Sequence, residues 1–491
     1  MTQHNFRVES DLLGPAEVPA DAYYGVHSLR AVQNFPITGV PIGHYSDLVN
    51  GLAYVKAASA RANHQLGLLS AERASAIEIA CQRICDGELH DQFVIDLIQG
   101  GAGTSSNMNA NEVVANLALE IMGHQKGDYG FLHPNDHVNL GQSTNDAYPT
   151  ALRVGLYLGS SRLLNALAYL EEAFNQKAAE FKDYIKLGRT QMQEAVPMTL
   201  GQEFKAFAIM LAEEERLLRH TMTLLTEVNL GGTAIGTGLN AHHNFAETAV
   251  AELAHLSGVP VECAANLVEA TQDVGALVQY SSALKRIAVK MSKIAHDLRL
   301  LSSGPQAGLG DITLPPVQAG SSIMPGKVNP VIPEMVSQVA YAVIGNDVTV
   351  TMAAEAGQLQ LNAFEPVMAK ALFESVHQLT AAATTLADKT VRGIGASREG
   401  LMRKVRESVG LATALVPFIG YEKATHVAKE ARLTGKDVPT VVVEFGYLSR
   451  AEVDDILAHP DRLVTNQPLA DKETREPGME TSSLPVITPN R

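Results

Sequence analysis

Apolar residues recur along most of the chain at alternating intervals of three and four positions, the spacing of one face of an α-helix. Such series occupy residues 163–181, 207–225, 277–301 and 334–362. Because helices of about 20–30 residues are about twice the usual length, the pattern predicts a mainly α protein with a long helical bundle. We expect some of these helices to meet across subunits. The longest unbroken series is Leu277, Tyr280, Leu284, Ile287, Met291, Ile294, Leu298 and Leu301.

Four segments between the apolar series are instead rich in Gly, Ser, Thr and Asn. They are residues 100–109, 141–145, 231–240 and 320–330. Loops placed by rigid helices commonly carry small-molecule sites, although the same composition also serves plain helix connections and caps. Four such loops in one helical chain favour a shared site for a small molecule.

The pattern divides the chain near residues 142 and 396. We expect a mixed, mainly helical domain at 1–142, a long-helix bundle at 143–396 and a small helical domain at 397–465. In the last of these, residues 449–452 (SRAE) have the spacing of a helix-capping box. Residues 466–491 are rich in proline and poor in apolar residues, which predicts a flexible tail. The acidic run at 213–215 predicts a solvated helix face.

Composition and charge exclude several classes of protein. With 46% hydrophobic and 19% charged residues over 491 positions, the chain is not wholly disordered. A net charge of -15 without an evident basic face disfavours nucleic-acid binding. No run of about 18 apolar residues predicts a membrane span, and no apolar signal segment stands at the N-terminus. The cysteines, Cys81, Cys85 and Cys263, fit small packing residues in a reducing, cytoplasmic compartment.

The segment 320–330 (GSSIMPGKVNP) combines hinge residues with groups that bind anions. Its two glycines permit hinge conformations and its two prolines stiffen the intervening backbone. Lys327 can pair with a carboxylate, Asn329 can add a hydrogen bond, and two adjacent serines supply hydroxyls. This composition fits a mobile lid that closes over an anion, and also an ordinary Gly/Pro loop with a surface lysine.

This segment resembles the signature loop of the aspartase/fumarase superfamily. Four other segments resemble further blocks of that family, in the family's order, and the likeness runs from about residue 7 to about residue 456. Residues 11–31, 122–128 and 285–305 are most similar to the branch of the superfamily that deaminates aspartate. The four blocks are residues 100–109 (GGAGTSSNMN), 139–150 (NLGQSTNDAYPT), 188–203 (GRTQMQEAVPMTLGQE) and 231–240 (GGTAIGTGLN).

The resemblance implies a three-domain fold with a long central helical bundle, assembled as a homotetramer whose active sites take residues from three subunits. It implies the reversible conversion of L-aspartate into fumarate and ammonia. This chemistry needs no cofactor, and we expect no catalytic metal. Some members are activated by Mg²⁺ at an accessory site, which the sequence does not locate.

The resemblance also assigns the site residues. It makes Ser321 the base that takes the proton from the carbon beside the β-carboxylate. A serine does this only as an alkoxide, so hydrogen-bond donors and positive charge must lower its pKa strongly. Lys327 and the loop amides are candidates for that role, and the residue pattern alone does not choose Ser321 over Ser322. The resemblance places Thr104, Ser143, Thr144 and Ser322 around the β-carboxylate, Lys327 and Asn329 at the α-carboxylate, and Asn145, Thr190 and Gln191 near the amino group or the carboxylates.

Gln191 bears on which reaction is catalysed. Fumarases usually have histidine after Gly-Arg-Thr, where this chain has glutamine. Loss of hydroxide from malate needs a proton donor, whereas the amino group of aspartate is already protonated and leaves as ammonia. A residue that does not titrate therefore favours deamination. The alternative is that Gln191 only hydrogen-bonds a substrate carboxylate and does not distinguish the two reactions.

Other functions remain open. The Met-Pro-Gly-Lys form of the loop is shared with fumarases, and the C-terminal part looks partly fumarase-like. The alternatives are a fumarase, a lyase acting on a related substituted aspartate, and a non-catalytic structural protein on the same scaffold. The last is disfavoured because both Ser321 and Lys327 are present.

Overall fold

The computed structural model describes residues 5–464, so the tail predicted at 466–491 lies outside the described residues. The described part is built mainly from α-helices with three small two-stranded sheets, which confirms the predicted fold class. Two of the sheets are antiparallel hairpins: β1 (Phe6–Asp11) pairs with β2 (Gly14–Pro19), and β3 (Ile185–Thr190) pairs with β4 (Gln193–Thr199). In the third sheet, β5 (Glu227–Val228) pairs parallel with β6 (Glu262–Cys263). The helices are α1 (Val26–Asn34), α2 (Ser46–Gln65), α3 (Ala71–Cys85), α4 (Thr104–Ile121), α5 (Thr144–Glu180), α6 (Leu200–Met222), α7 (Phe245–Ser257), α8 (Leu267–Ala270), α9 (Gly275–Leu301), α10 (Val331–Glu355), α11 (Glu365–Lys389), α12 (Arg398–Glu407), α13 (Leu411–Ala414), α14 (Val416–Ile419), α15 (Tyr421–Thr434), α16 (Val438–Glu444), α17 (Arg450–Ala458) and α18 (Pro460–Val464).

The described residues fall into two compact units. The first comprises residues 5–175, 206–310 and 314–394, and the second comprises residues 176–205, 311–313 and 395–464. The domain boundaries expected near residues 142 and 396 stay predictions. No helix within residues 5–464 has the length and apolar character needed to cross a membrane.

Long helices form the core of the first unit. α10 packs against both α9 and α11, which have 27 and 25 residues. Every member of the predicted apolar series at 277–301 is buried in α9. The three-four spacing therefore identified the buried face of this helix correctly.

The predicted solvated face at 213–215 is wrong at its central residue. Glu214 is fully buried in α6, where Arg286 Nε of α9 donates a hydrogen bond of 3.0 Å to its Oε1. Lys290 Nζ lies 3.4 Å from the same oxygen. A buried carboxylate is tolerated when cations lie this close, and the charge run alone does not reveal partners on another helix.

The second unit has its own core beneath the β3–β4 hairpin. Ile185 and Leu187 of β3 are buried in one cluster with Val405 of α12 and Val441 of α16. α17 begins with the predicted capping box, in which the Ser449 hydroxyl accepts from the backbone of Glu452 and the Glu452 carboxylate accepts from that of Ser449. The first residues of β3 are therefore anchored in the core of the second unit.

Candidate active site

Four of the predicted substrate-binding residues lie at the N-termini of α4 and α5, in the first unit. Thr104 is the first residue of α4, and its hydroxyl donates to the Gly101 carbonyl at 2.7 Å. Ser143 precedes α5, whose first two residues are Thr144 and Asn145. Backbone N–H groups at a helix N-terminus favour anions, so this region suits a carboxylate.

The starts of α4 and α5 are packed closely together. Gly103 precedes α4 with φ of 90°, and a Cβ there would lie 2.6 Å from ring atoms of Tyr148 in α5. Asn107 Nδ2 donates to Thr144 Oγ1 at 3.2 Å, which joins the two helices one turn further on. The glycine therefore allows the contact that brings two of the polar segments together.

Asp146 attaches a third polar segment to the start of α5. Its Oδ1 accepts from the Ser143 N–H at 2.9 Å, and its Oδ2 accepts from the N–H groups of Gly231 at 3.0 Å and Thr233 at 2.8 Å. Asn145 Nδ2 also donates to the Ala234 carbonyl at 2.8 Å. Burial raises the pKa of Asp146 to about 6, although these backbone hydrogen bonds oppose the shift. These hydrogen bonds join segments 100–109, 141–145 and 231–240 into one network, in which Asn107 and Asp146 are buried and Thr104 is exposed.

The fourth polar segment, residues 320–330, is a loop closed at its base. The Gly320 N–H donates to the Lys327 carbonyl at 2.8 Å, and Asn329 Nδ2 donates to the Gly320 carbonyl at 2.6 Å. A Cβ on Gly320 would lie 2.5 Å from the Lys327 carbonyl oxygen, so this closure requires glycine. Between these anchors the loop is open to solvent, with Ile323 84% exposed.

The two serines of this loop differ in their contacts. Ser321 Oγ accepts hydrogen bonds from the backbone N–H groups of Ile323 at 3.2 Å and Met324 at 2.9 Å. Ser322 is exposed. Donors that point at an oxygen favour its anionic form, so the geometry distinguishes two residues that the sequence pattern left equivalent.

Lys327 and Asn329 line an open cavity of about 790 Å³. Arg299 and His296 of α9 also line it, together with Glu334 of α10, whose carboxylate lies 3.9 Å from Arg299. Basic side chains outnumber acidic ones around the cavity. The cavity therefore suits an anionic group.

Thr190 and Gln191 lie in the second unit, at the tip of the β3–β4 hairpin. Thr190 pairs with Gln193, so Gln191 and Met192 form a two-residue turn with φ of 51° and 66°. Such a turn usually contains Asn-Gly, because two positive φ angles are costly for residues with a Cβ. A strained backbone at an exposed tip is typical of a functional position.

A buried ion cluster fixes the strand that leads to this turn. Arg189 Nη1 donates to Asp311 Oδ2 at 2.6 Å, and Lys404 Nζ of α12 donates to Asp311 Oδ1 at 2.8 Å. Burial raises the pKa of Asp311, but the hydrogen bonds from Lys404 and Arg189 outweigh it and hold that pKa below its ordinary value. The carboxylate therefore stays ionised and positions Arg189, the residue next to Thr190.

The predicted site residues belong to three parts of the chain: the starts of α4 and α5, the loop at 320–330, and the β3–β4 turn. Within residues 5–464, no hydrogen bond or ion pair joins the loop residues Ser321, Ser322, Lys327 and Asn329 to Thr104, Ser143, Thr144 or Asn145. Thr190 and Gln191 are the predicted site residues at the β3–β4 turn.

Three buried residues near the predicted site residues at the starts of α4 and α5 were not identified from the sequence, namely Lys56, Asn107 and Asp146. Asn107 and Asp146 stand inside segments already singled out, next to residues that were assigned. Lys56 lies outside every such segment, yet it falls on the same helical face of α2 as the buried residues Leu52 and Ser59. A lysine on an otherwise buried helix face is the sequence signal that could have identified Lys56.

The chain matches two family models. Residues 14–345 match a lyase family, and residues 411–464 match the C-terminus of fumarase C. Among solved structures, the fumarate lyase:delta crystallin of Brucella melitensis bound to cobalt is 54% identical, with a TM-score of 0.89 over 94% of this chain and 99% of that one. The class II fumarase of Schistosoma mansoni is 34% identical, with a TM-score of 0.85 over 92% and 98%. The chain belongs to this lyase family, the aspartase/fumarase superfamily.

Within that family, the chain is similar to proteins named aspartate ammonia-lyase. The aspartate ammonia-lyase of Pseudomonas fluorescens is 58% identical over 94% of this chain and 96% of its own length. That of Escherichia coli K12 is 56% identical over 93% and 97%. Within residues 5–464 of this chain, no cluster of three or more His, Cys, Asp or Glu side chains is arranged to hold a metal ion.

Proposed function

We propose that this chain catalyses the reversible deamination of L-aspartate to fumarate and ammonia. Its relatives named aspartate ammonia-lyase share 56–58% of its residues over nearly its full length. The observation that carries the proposal is the geometry of the lid serine. Ser321 Oγ accepts two backbone N–H groups of its own loop, which favours the alkoxide that this chemistry requires.

In the proposed reaction, Ser321 removes the proton from the carbon beside the β-carboxylate. The electron pair left behind delocalises into that carboxylate, then forms the double bond of fumarate as the carbon–nitrogen bond breaks. The protonated amino group leaves as ammonia. Lys327 and Asn329 hold the α-carboxylate, while Asn145, Thr190 and Gln191 lie near the amino group or the carboxylates.

Negative charge develops on the β-carboxylate during proton removal, so donors aimed there lower the barrier. Thr104, Ser143, Thr144 and Ser322 fill this role. Ser143 and Thr144 belong to the buried network at the start of α5, so they keep their geometry as the charge develops. Such preorganisation makes electrostatic stabilisation effective.

Fumarate hydration is the second candidate. It is favoured by the match of residues 411–464 to a fumarase C-terminus and by the class II fumarase among the structural neighbours. Against it stands Gln191, which supplies no titrating proton for a leaving hydroxide.

We also propose that the protein is a cytoplasmic homotetramer whose active sites combine residues of three subunits. Within residues 5–464, the loop residues make no hydrogen bond or ion pair with those at the starts of α4 and α5, which fits sites completed by another subunit. Tyr341, Val348 and Met352 lie on one face of α10 and are exposed, which suits a helix that packs against another subunit. The three free cysteines suit a reducing compartment. We further propose that the reaction requires no cofactor and that a divalent cation such as Mg²⁺ activates the enzyme at an accessory site.

The test follows fumarate by its ultraviolet absorbance, with purified enzyme and either L-aspartate or L-malate. We expect absorbance to rise with aspartate and not with malate. A rise with malate alone would make the enzyme a fumarase and would refute the argument from Gln191. No rise with either substrate would contradict both candidates.

A further inference from the structure

Lys56 is a fully buried lysine whose direct partners are all neutral. It lies in the middle of α2, and its Nζ donates three hydrogen bonds. The acceptors are the side-chain oxygens of Asn107 at 2.6 Å, Gln142 at 2.8 Å and Asn139 at 3.1 Å. Among residues 5–464, no ion pair includes Lys56. The structure thus surrounds one cation with three carboxamides, directly behind the start of α5.

A purely structural role explains this arrangement poorly. Burying a cation without a carboxylate partner is costly, and an apolar side chain of similar size fills such a space at lower cost. Burial lowers the pKa of Lys56 to about 7, and the charge of Asp146 opposes that shift. Asp146 itself is hydrogen-bonded to backbone N–H groups rather than to Lys56. A dianion forming nearby would favour the charged lysine.

The carboxamides of Asn107, Asn139 and Gln142 form a cage around Lys56, and this cage fixes the orientation of Asn107. A protonated lysine only donates hydrogen bonds, so the Asn107 carboxamide turns its oxygen towards Lys56 and its nitrogen away. That nitrogen donates to Asn139 Oδ1 at 3.1 Å and to Thr144 Oγ1 at 3.2 Å. Because the Thr144 oxygen accepts there, its own hydrogen is left to point at another partner.

We propose that Lys56 is a positioning residue for the reaction, acting through Asn107 to hold the Thr144 hydroxyl as a donor towards the β-carboxylate. This inference rests on the proposed function, which places Thr144 at that carboxylate. Lys56 touches no substrate atom. It polarises the Asn107 carboxamide, and it adds positive potential behind the site where negative charge develops.

The test is a double-mutant cycle between Lys56→Met and Thr144→Val, assayed with L-aspartate. If Lys56 acts through the Thr144 hydroxyl, removing that hydroxyl removes the path for its effect. We expect Lys56→Met to lower kcat about 10- to 100-fold with little change in KM, and to lower it less than about threefold in the Thr144→Val background. Equal factors in the two backgrounds would overturn the inference.

A second pair of variants tests the positioning role of Lys56 if Lys56→Met fails to fold. Asn107→Leu breaks the link from Lys56 to Thr144 and removes a donor to Asn139 Oδ1. Asn111→Leu, one turn along α4, also removes a donor to Asn139 Oδ1, together with one to Met108 Sδ, but leaves the link to Thr144 in place. We expect Asn107→Leu to reproduce the loss in kcat, and Asn111→Leu to change kcat less than about threefold. Equal losses in both variants would mean that the cage is merely structural.

The outcomes separate this inference from the proposed function. If the wild-type enzyme does not deaminate aspartate, the proposed function is wrong, and the inference falls with it. If the wild type is active and Thr144→Val is equally active, the placement of Thr144 is wrong and Lys56 has nothing to position. If Thr144→Val is impaired and the cycle is additive, only the inference fails.

Discussion

The lid loop at 320–330 and the network at the starts of α4 and α5 both carry predicted site residues, but they are built in opposite ways. The loop is anchored at its base by two hydrogen bonds and is otherwise open to solvent. In the network, Asn107 and Asp146 are buried, and their side chains bond to Thr144 and to backbone groups of the segments 141–145 and 231–240. We therefore expect the loop to be mobile and the network to be rigid.

This difference matches the two tasks of the proposed reaction. Donors for a developing charge act best when they are already in place, which a buried network ensures. A base that must meet the substrate after it has bound is better carried on a segment that closes. We therefore expect changes in the loop to alter turnover with little effect on stability, and changes in the network to alter both.

The largest effect is expected from Ser321→Ala. Loss of the base should reduce kcat about 1,000-fold, within the usual range for general-base catalysis, while its position on the open loop leaves the fold intact. Ser322→Ala is the matched control and should cost about tenfold, because it removes one of several donors. Steady-state kinetics with L-aspartate measures both, and equal losses would contradict the assignment of the base.

Gly320→Ala should have the next largest effect. Its Cβ would meet the Lys327 carbonyl oxygen and the Asn329 backbone nitrogen, so the base of the loop must open. A shift of about 1 Å in catalytic groups costs about 100-fold, and we expect a loss in kcat/KM of about 10- to 100-fold with an unchanged urea midpoint. Gly130→Ala, at a loop position with open space and without a positive φ, controls for the loss of a loop glycine. A large fall in stability would contradict the view of the loop as separate from the core.

In the network, Asp146 should make stability depend on pH. Its pKa of about 6 in the folded protein lies above the ordinary value near 3.8. The native state therefore binds more protons between these values, and stability rises as pH falls through about 6. From pH 7 to pH 5 we expect the wild type to gain about 1 kcal/mol relative to Asp146→Asn, measured by urea unfolding.

Asp11→Asn is the control for this experiment. The hydrogen bond from Arg30 lowers the pKa of Asp11, so its titration lies below the range tested. The difference between the wild type and this variant should stay constant from pH 7 to pH 5. A constant difference for Asp146→Asn as well would show that burial does not control that carboxyl.

The smallest effect is expected at the β3–β4 turn, where the strain lies in the backbone itself. Met192→Gly places glycine at a φ of 66°, and we expect stability to rise by about 0.5–1 kcal/mol, because glycine adopts positive φ without a Cβ penalty. Gln193→Gly, in the first position of β4, should instead lower stability. Thermal unfolding of both variants compares them, and destabilisation by Met192→Gly would mean that the turn is not strained.

The helical bundle followed from spacing alone because a buried helix face repeats along the sequence, as the buried series in α9 shows. The β3–β4 turn was not predicted, since Gln191-Met192 contains none of the residues that usually mark such turns. Lys56 and Glu214 were not predicted as buried either. Their partners come from distant parts of the chain, and a single helix does not reveal them.

Hydrogen–deuterium exchange, followed by mass spectrometry with and without fumarate, tests most directly whether the site joins a mobile loop to a rigid network. We expect backbone amides at 320–329 to exchange rapidly in the free enzyme and to become protected when fumarate binds. Amides at 104–111 and 144–148 should exchange slowly in both states. Slow exchange in the free loop, or new protection confined to the starts of α4 and α5, would contradict the account.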